Sequence, residues 1–179
     1  MTPNTNDRRR GNALIEFTLV GIPMIFVLIS IFEMSRGMWI YHTLAHALKE
    51  GTRYASVHGQ SCYDGTAPCP ITIADVANRV KDSGVGLIPD ELNITISSMA
   101  CTGCAAVQSV ACNPLSSCFL NTTQFPSDKA GNEPGLSEVA ISGTYPFRSA
   151  IAMFWPGASG GIQFPAFNLP ASARERVHF

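Results

Sequence analysis

Ala13-Leu14-Ile15-Glu16-Phe17-Thr18-Leu19-Val20-Gly21-Ile22-Pro23-Met24-Ile25-Phe26-Val27-Leu28-Ile29-Ser30-Ile31-Phe32 is a run of 20 residues with one charge, Glu16. At about 1.5 Å per residue a helix of this length covers about 30 Å, the thickness of a bilayer's hydrocarbon core. A buried helix of a soluble protein rarely runs this far without polar residues on one face. A cleavable secretory signal has an apolar region of about 7–15 residues closed by small residues. This run is longer and passes into Phe32-Glu33-Met34-Ser35-Arg36, with no such site and no nearby cysteine of the lipoprotein kind. The segment is therefore expected to stay attached as a single membrane span.

The flanks give an orientation. Arg8, Arg9 and Arg10 lie just before the run, and Arg36 alone lies just after it. The positive-inside rule then puts the N-terminus in the cytoplasm and everything from about Glu33 outside. Pro23 removes one helix hydrogen bond, so a kink is expected there, of a sort that membrane helices tolerate. Of the 179 residues, 14% are charged and the net charge is −1. Soluble domains carry about 25% charged residues. The chain beyond the span, about 120–145 residues, is enough for one domain with its own core. Near-neutral charge gives no basic face, so no nucleic-acid partner is expected.

Around the start of the run, Arg10-Gly11-Asn12-Ala13-Leu14-Ile15-Glu16-Phe17 places a basic run, a glycine, four residues and a glutamate at the mouth of an apolar helix. This resembles the processing site of type IV prepilins and of Flp/Tad pilins. The resemblance implies that a prepilin peptidase cuts after Gly11 on the cytoplasmic side. Residues 1–11 are then a basic leader, Asn12 is the new N-terminus, and Glu16 is the fifth residue of the mature chain. Glu16-Phe17 also matches the Glu-aromatic pair of the Flp/Tad branch. A carboxylate at the bilayer centre costs about 2.5–3.5 kcal/mol and less near the edge. Once helices bundle away from lipid and water, that carboxylate needs a cation. The α-amino group of Asn12 on a neighbouring subunit can supply it and set the register. The bland alternative is that Glu16 snorkels to the interface and Gly11 is incidental.

Helical spacing continues past the span. Met34, Met38, Tyr41, Leu44 or Ala45, Leu48, Thr52 and Ala55 recur every three or four residues, with Arg36, His42, His46, Lys49, Glu50 and Arg53 opposite. Gly37 and Gly51 weaken a helix without ending it. One helix from about Ala13 to about Val57 is expected: a membrane span over 12–32 and an extension over 33–57 laid on an external domain. Glu50-Gly51-Thr52-Arg53-Tyr54-Ala55 resembles the helix-end segment of TadE-like proteins, which favours that family over the shorter major pilins. His42 and His46 are spaced i, i+4, but no third ligand is near in sequence, so a solvated polar face is preferred to a metal site.

The rest, residues 58–179, reads as an α+β domain with a small, mostly antiparallel sheet, the pilin plan of a long helix across a sheet. Thr72-Ile73-Ala74-Asp75 opens a second helix with a capping box; Ile73, Val76, Ala77 and Val80 form its apolar side, and Gly84 and Gly86 end it. Leu92, Ile94 and Ile96 alternate with polar residues as a half-buried strand, and Val139, Ile141, Tyr145 and Phe147 mark another. From Ile162 to Phe179 alternation returns through Phe167, Leu169, Ala171, Ala173, Val177 and Phe179. Pro165 and Pro170 push this strand toward an edge or a break. Residues 100–135, rich in Ser, Asn, Pro and Gly, read as a long irregular loop.

Cys62, Cys69, Cys101, Cys104, Cys112 and Cys118 all follow the span. An even number, all outside, points to an oxidising compartment and disulfides of open connectivity. Cys62 with Cys69 is a plausible local loop. Cys101-Thr102-Gly103-Cys104 could be a redox pair or half a zinc site, but no βαβ unit frames it and no second C-x-x-C follows at zinc spacing. Structural bridges are preferred.

No Ser/His/Asp arrangement, phosphate loop or paired carboxylates stand out, so neither catalysis nor a cofactor or metal is expected. The leading expectation is a TadE-like minor pseudopilin of a Tad/Flp pilus, single-pass in a bacterial inner membrane with its C-terminal domain in the periplasm or at the cell surface. Its partners would be a prepilin peptidase, other pilins and pseudopilins, and inner-membrane lipid, and its role would be pilus assembly and surface adhesion. Two alternatives are an anchored periplasmic binding domain and an anchored thiol oxidoreductase using Cys101 and Cys104.

Overall fold

The structure, a computed structural model, describes residues 6–58, 71–99, 106–126, 137–149 and 167–177, with side chains from Leu14 onward. The chain divides into two compact units, Met1–Met38 and Trp39–Phe179. Helix α1, Asn6–Val57, runs through Pro23, Gly37 and Gly51. It begins earlier than the expected Ala13 and takes in the three arginines, because nothing in Asn6-Asp7-Arg8-Arg9-Arg10 breaks a helix.

In the first unit, every side chain over 14–32 is exposed except the half-buried Gly21. The hydroxyls in this apolar stretch turn back on their own helix. Thr18 Oγ1 donates to the Ile15 carbonyl at 2.9 Å, and Ser30 Oγ to that of Phe26 at 2.8 Å. Both hydroxyls are thus satisfied without solvent, as a helix in hydrocarbon requires.

The second unit is an α+β fold. Helix α2 spans Ile73–Ser83, and four strands follow: β1 Asn93–Met99, β2 Ala106–Cys112, β3 Glu138–Phe147 and β4 Phe167–Arg176. They form one antiparallel sheet in the order β2-β1-β3-β4. The register pairs Ile96 with Val110 on one side and Ile141 on the other, and Ile141 with Ala173. Opposed residues share a face, so Ile94, Ile96, Val139, Ile141 and Tyr145 form one apolar surface. Leu44, Ala47, Leu48 and Ala55 of α1 and Val76, Ala77 and Val80 of α2 join them in a single core.

Helix α2 starts where its local chemistry directs. The Asp75 backbone N–H donates to Thr72 Oγ1 at 3.3 Å, and the Thr72 N–H donates to Asp75 Oδ2 at 2.8 Å. Two more first-turn donors find backbone partners: Ile73 N–H reaches the Thr123 carbonyl at 2.9 Å and Ala74 N–H that of Asn121 at 3.0 Å. A helix start buried under another segment thus leaves no orphan donors in its first turn. The helix ends at Gly84; Gly86, at φ +87°, turns the chain in a conformation that favours glycine.

Three expectations are corrected. Residues 100–135 do not read as one irregular loop, since they contain β2 and a 3₁₀ turn over Leu115–Cys118. Ala106-Val107-Gln108-Ser109-Val110-Ala111-Cys112 has little β-branched character; it is a strand because β1 offers it a ladder. Its inward-facing Gln108 is satisfied by donating to the Gln124 carbonyl at 3.0 Å. Second, the stripe on α1 does not pack from Met34 onward: Met34, Met38 and Tyr41 are exposed, and burial starts at Leu44. Third, Phe167 is exposed, so the inward face of β4 consists of the half-buried Leu169, Ala171 and Ala173, with Val177 buried just beyond. Ile162, Pro165 and Phe179 lie outside the described residues. Pro170 lies in β4 opposite Thr144, and among the described residues β4 is an edge of the sheet, where a missing N–H costs least.

Cys112 and Cys118 form a disulfide with a Cα–Cα separation of 5.6 Å. Both are buried, and the bridge folds Leu115 beneath the sheet, where its N–H donates to the Leu92 carbonyl at 2.7 Å. Cys62, Cys69, Cys101 and Cys104 lie outside the described residues. Closing so short a loop stabilises by about 2 kcal/mol in the chain-entropy view. Replacing Cys112 and Cys118 together by alanine is expected to cost about that much. Urea unfolding of the full chain in detergent micelles measures it, and an unchanged midpoint would show that the bridge contributes nothing.

Candidate functional site

Three groups of residues carry the candidate function. They are the Gly11–Glu16 segment, the exposed apolar helix and the Glu50–Ala55 segment at the end of α1.

Gly11 and Asn12 lie within the helical backbone of α1. Glu16 is exposed, and its neighbours Leu14, Ile15 and Phe17 are exposed apolar side chains. Among the described residues there are three ion pairs, and Glu16 belongs to none of them. In water such a carboxylate needs no partner. In a low-dielectric bundle of apolar helices it does. The 44 residues Leu14–Val57 contain a window apolar enough to cross a membrane, and none of that window is buried within the protein. The N-terminal helix is thus consistent with a single-pass membrane anchor.

Near its other end, inside the second unit, α1 carries Glu50-Gly51-Thr52-Arg53-Tyr54-Ala55. Each residue there has a distinct contact. Glu50 pairs with Arg79 of α2 at 3.6 Å. Gly51 is buried where α1 meets α2 and β3: a Cβ at this position would lie 2.4 Å from Val80 Cγ2 and 3.3 Å from Ile141 Cδ1. Thr52, also buried, donates its hydroxyl to the Leu48 carbonyl at 2.7 Å. Arg53 points outward. The Tyr54 ring stacks on His58 at 4.5 Å, and Ala55 is buried. Sequence alone marked this segment as a motif; the structure shows it packing the end of α1 against α2 and β3 within the second unit. Close packing at Gly51 had no sequence signal beyond the presence of a glycine.

His42 and His46 are exposed on α1 and line a depression of about 470 Å³ with Trp39, Thr43, Asp82, Ser83 and Val85. Among the described residues no group of three or more His, Cys, Asp or Glu is placed to hold a metal ion. A second depression, of about 820 Å³, is lined by Asn93, Thr95, Ser142, Thr144 and Ser172 among others, and by no carboxylate, imidazole, thiol, amine or guanidinium. The Cys101/Cys104 pair lies outside the described residues.

Residues 11–53 match the family model described as TadE-like protein. No curated protein and no solved structure matches the chain.

Proposed function

We propose that this chain is a TadE-like minor pseudopilin that takes part in assembling a Tad/Flp pilus, and through it in surface attachment. In this reading it is made with an N-terminal leader that a prepilin peptidase removes after Gly11. It stays in the bacterial inner membrane by α1, with its second unit on the periplasmic side, and has no catalytic role of its own. The observation that carries the reading is the extent of the family match. It begins at Gly11, includes Glu16 and the whole apolar run, and ends at Arg53, in the part of α1 that packs within the second unit. Other supports are the basic flank of Arg8, Arg9 and Arg10 and the burial-free apolar surface of α1.

The deciding experiment is the mature N-terminus. Protein extracted from membranes of a host carrying its own pilus machinery is analysed by intact-mass and peptide mass spectrometry. Asn12 as the first residue is the expected result. A chain that keeps Met1 or Thr2 at its start in the presence of active peptidase overturns the processing step.

A further inference from the structure

We propose that the depression of about 820 Å³ on the second unit, lined by α1 and by strands β1, β3 and β4, is a binding site for a neutral saccharide. Sites for small ligands have volumes of about 300–1,000 Å³ and are mostly apolar, with a few polar groups to orient the ligand. Here the proportion is reversed. Asn93, Thr95, Asn113, Ser142, Thr144 and Ser172 supply hydroxyls and amides, and Tyr41 supplies a ring that is 44% exposed. The inference stands apart from the pilus reading and needs no position for the second unit relative to a membrane.

The strand register sets these groups side by side. Thr95 lies opposite Ser142, and Ser142 opposite Ser172; Asn93 lies opposite Thr144 in the next outward row. Opposed side chains on one face stand about 4.5–5.5 Å apart, and successive rows about 7 Å apart. Among the described residues, none of the six hydroxyl and amide side chains has a hydrogen-bond partner within the protein. Their donors and acceptors are open to a ligand. The charges on this face lie elsewhere: Arg174 and Arg176 occupy the rows beyond Ser172, opposite Ala140 and Glu138, and do not line the depression.

The chemistry of the lining selects the ligand. A phosphate or carboxylate calls for a guanidinium or ammonium, a metal ion for carboxylates or imidazoles, and an apolar partner for an apolar patch. Hydroxyls and amides both donate and accept, as the hydroxyls of a saccharide do. Each such bond replaces one made to water, so its net contribution is small. Affinity then depends on Tyr41, whose ring offers an apolar face to the C–H groups of a sugar ring.

The test is saturation-transfer NMR on the full chain in phosphatidylcholine nanodiscs, whose lipid has no sugar headgroup, with empty discs as the blank. The probes are maltotriose and chitotriose, both uncharged, and a heparin tetrasaccharide as the charged comparison. Saturation is expected to reach the ring protons of at least one neutral sugar and not those of the heparin fragment. Tyr41→Ala should weaken that binding roughly tenfold and Thr144→Val roughly twofold to tenfold. Tyr41→Phe, which keeps the ring, should retain it. So should Thr122→Val, which removes an exposed hydroxyl outside the depression. No transfer to either neutral sugar overturns the inference. Transfer that Tyr41→Ala and Thr144→Val leave unchanged overturns it as well, since the sugar then binds elsewhere. Binding of the heparin fragment alone overturns the ligand class. An absence of sugar binding together with lost co-purification of other pilus subunits by Thr144→Val overturns it in favour of a protein partner.

Discussion

Replacing Gly51 by valine is expected to unfold the second unit. The position is buried, and a bare Cβ there falls 2.4 Å from Val80 Cγ2, well inside the distance at which two carbons repel. Neither neighbour can yield easily. Val80 sits in α2 with no exposed surface, and a β-branched side chain in a helix has one favoured rotamer. Ile141 is equally buried on the central strand β3 and approaches to 3.3 Å from the other side. Overpacking of this kind costs about 1–3 kcal/mol even when a core can adjust. Alanine regains up to about 1 kcal/mol of helix propensity, so Gly51→Ala should lose no more than about 2 kcal/mol. Valine adds two methyl groups to the same clash and regains less, a loss of several kcal/mol against a total stability of about 5–15 kcal/mol. Urea unfolding of the full chain in micelles should place the midpoints in the order wild type, Gly51→Ala, Gly51→Val. Adding Val80→Ala should return part of the loss, a coupling that a double-mutant cycle isolates. An unchanged midpoint for Gly51→Val would show that α1 and α2 do not meet as closely as described.

The second large effect concerns Glu16. On the proposed function, Glu16→Ala is expected to leave the chain in the membrane while removing it from assembled pilus complexes. Retention follows because the substitution deletes the only charge in the apolar run 13–32 and lowers the cost of insertion. Loss of assembly follows because, in a helix bundle, the carboxylate is the partner of a cation such as the new amino group of Asn12. Removing one member of a buried pair costs about 3–5 kcal/mol, since the other is left uncompensated. At about 1.4 kcal/mol per tenfold, that is a fall in occupancy of roughly a hundredfold to a few thousandfold. Co-purification with the other pilus subunits measures it, and Glu16→Gln should behave like alanine because it keeps the shape without the charge. Wild-type recovery of Glu16→Ala in those complexes would mean that the carboxylate only snorkels.

Where the chain's structure was legible, the signal was local. The capping box of α2 involves four consecutive residues, and the structure shows both of its hydrogen bonds. Alternation over Leu92–Ile96 and Val139–Tyr145 located β1 and β3 because the strand period of two is written directly into the side chains. Strand β2 escaped because its Ala, Ser and Gln residues have weak strand preference, and its ladder partner is supplied by β1. Met34, Met38 and Tyr41 of α1 were expected to lie against the domain but are exposed, because helical spacing identifies a face without identifying what lies against it.

From its sequence alone this protein is determined to have a long apolar helix, an early lone carboxylate within it and an α+β remainder. Length, charge and periodicity act along the chain and need no knowledge of distant residues. Only the tertiary structure decided that Gly51 sits against Val80 of α2 and Ile141 of β3, that Cys112 pairs with Cys118, and that Trp39 and Val85 line one depression. Those are relations between residues far apart in the chain. They exist once burial of the shared core has outweighed the entropy of bringing the segments together.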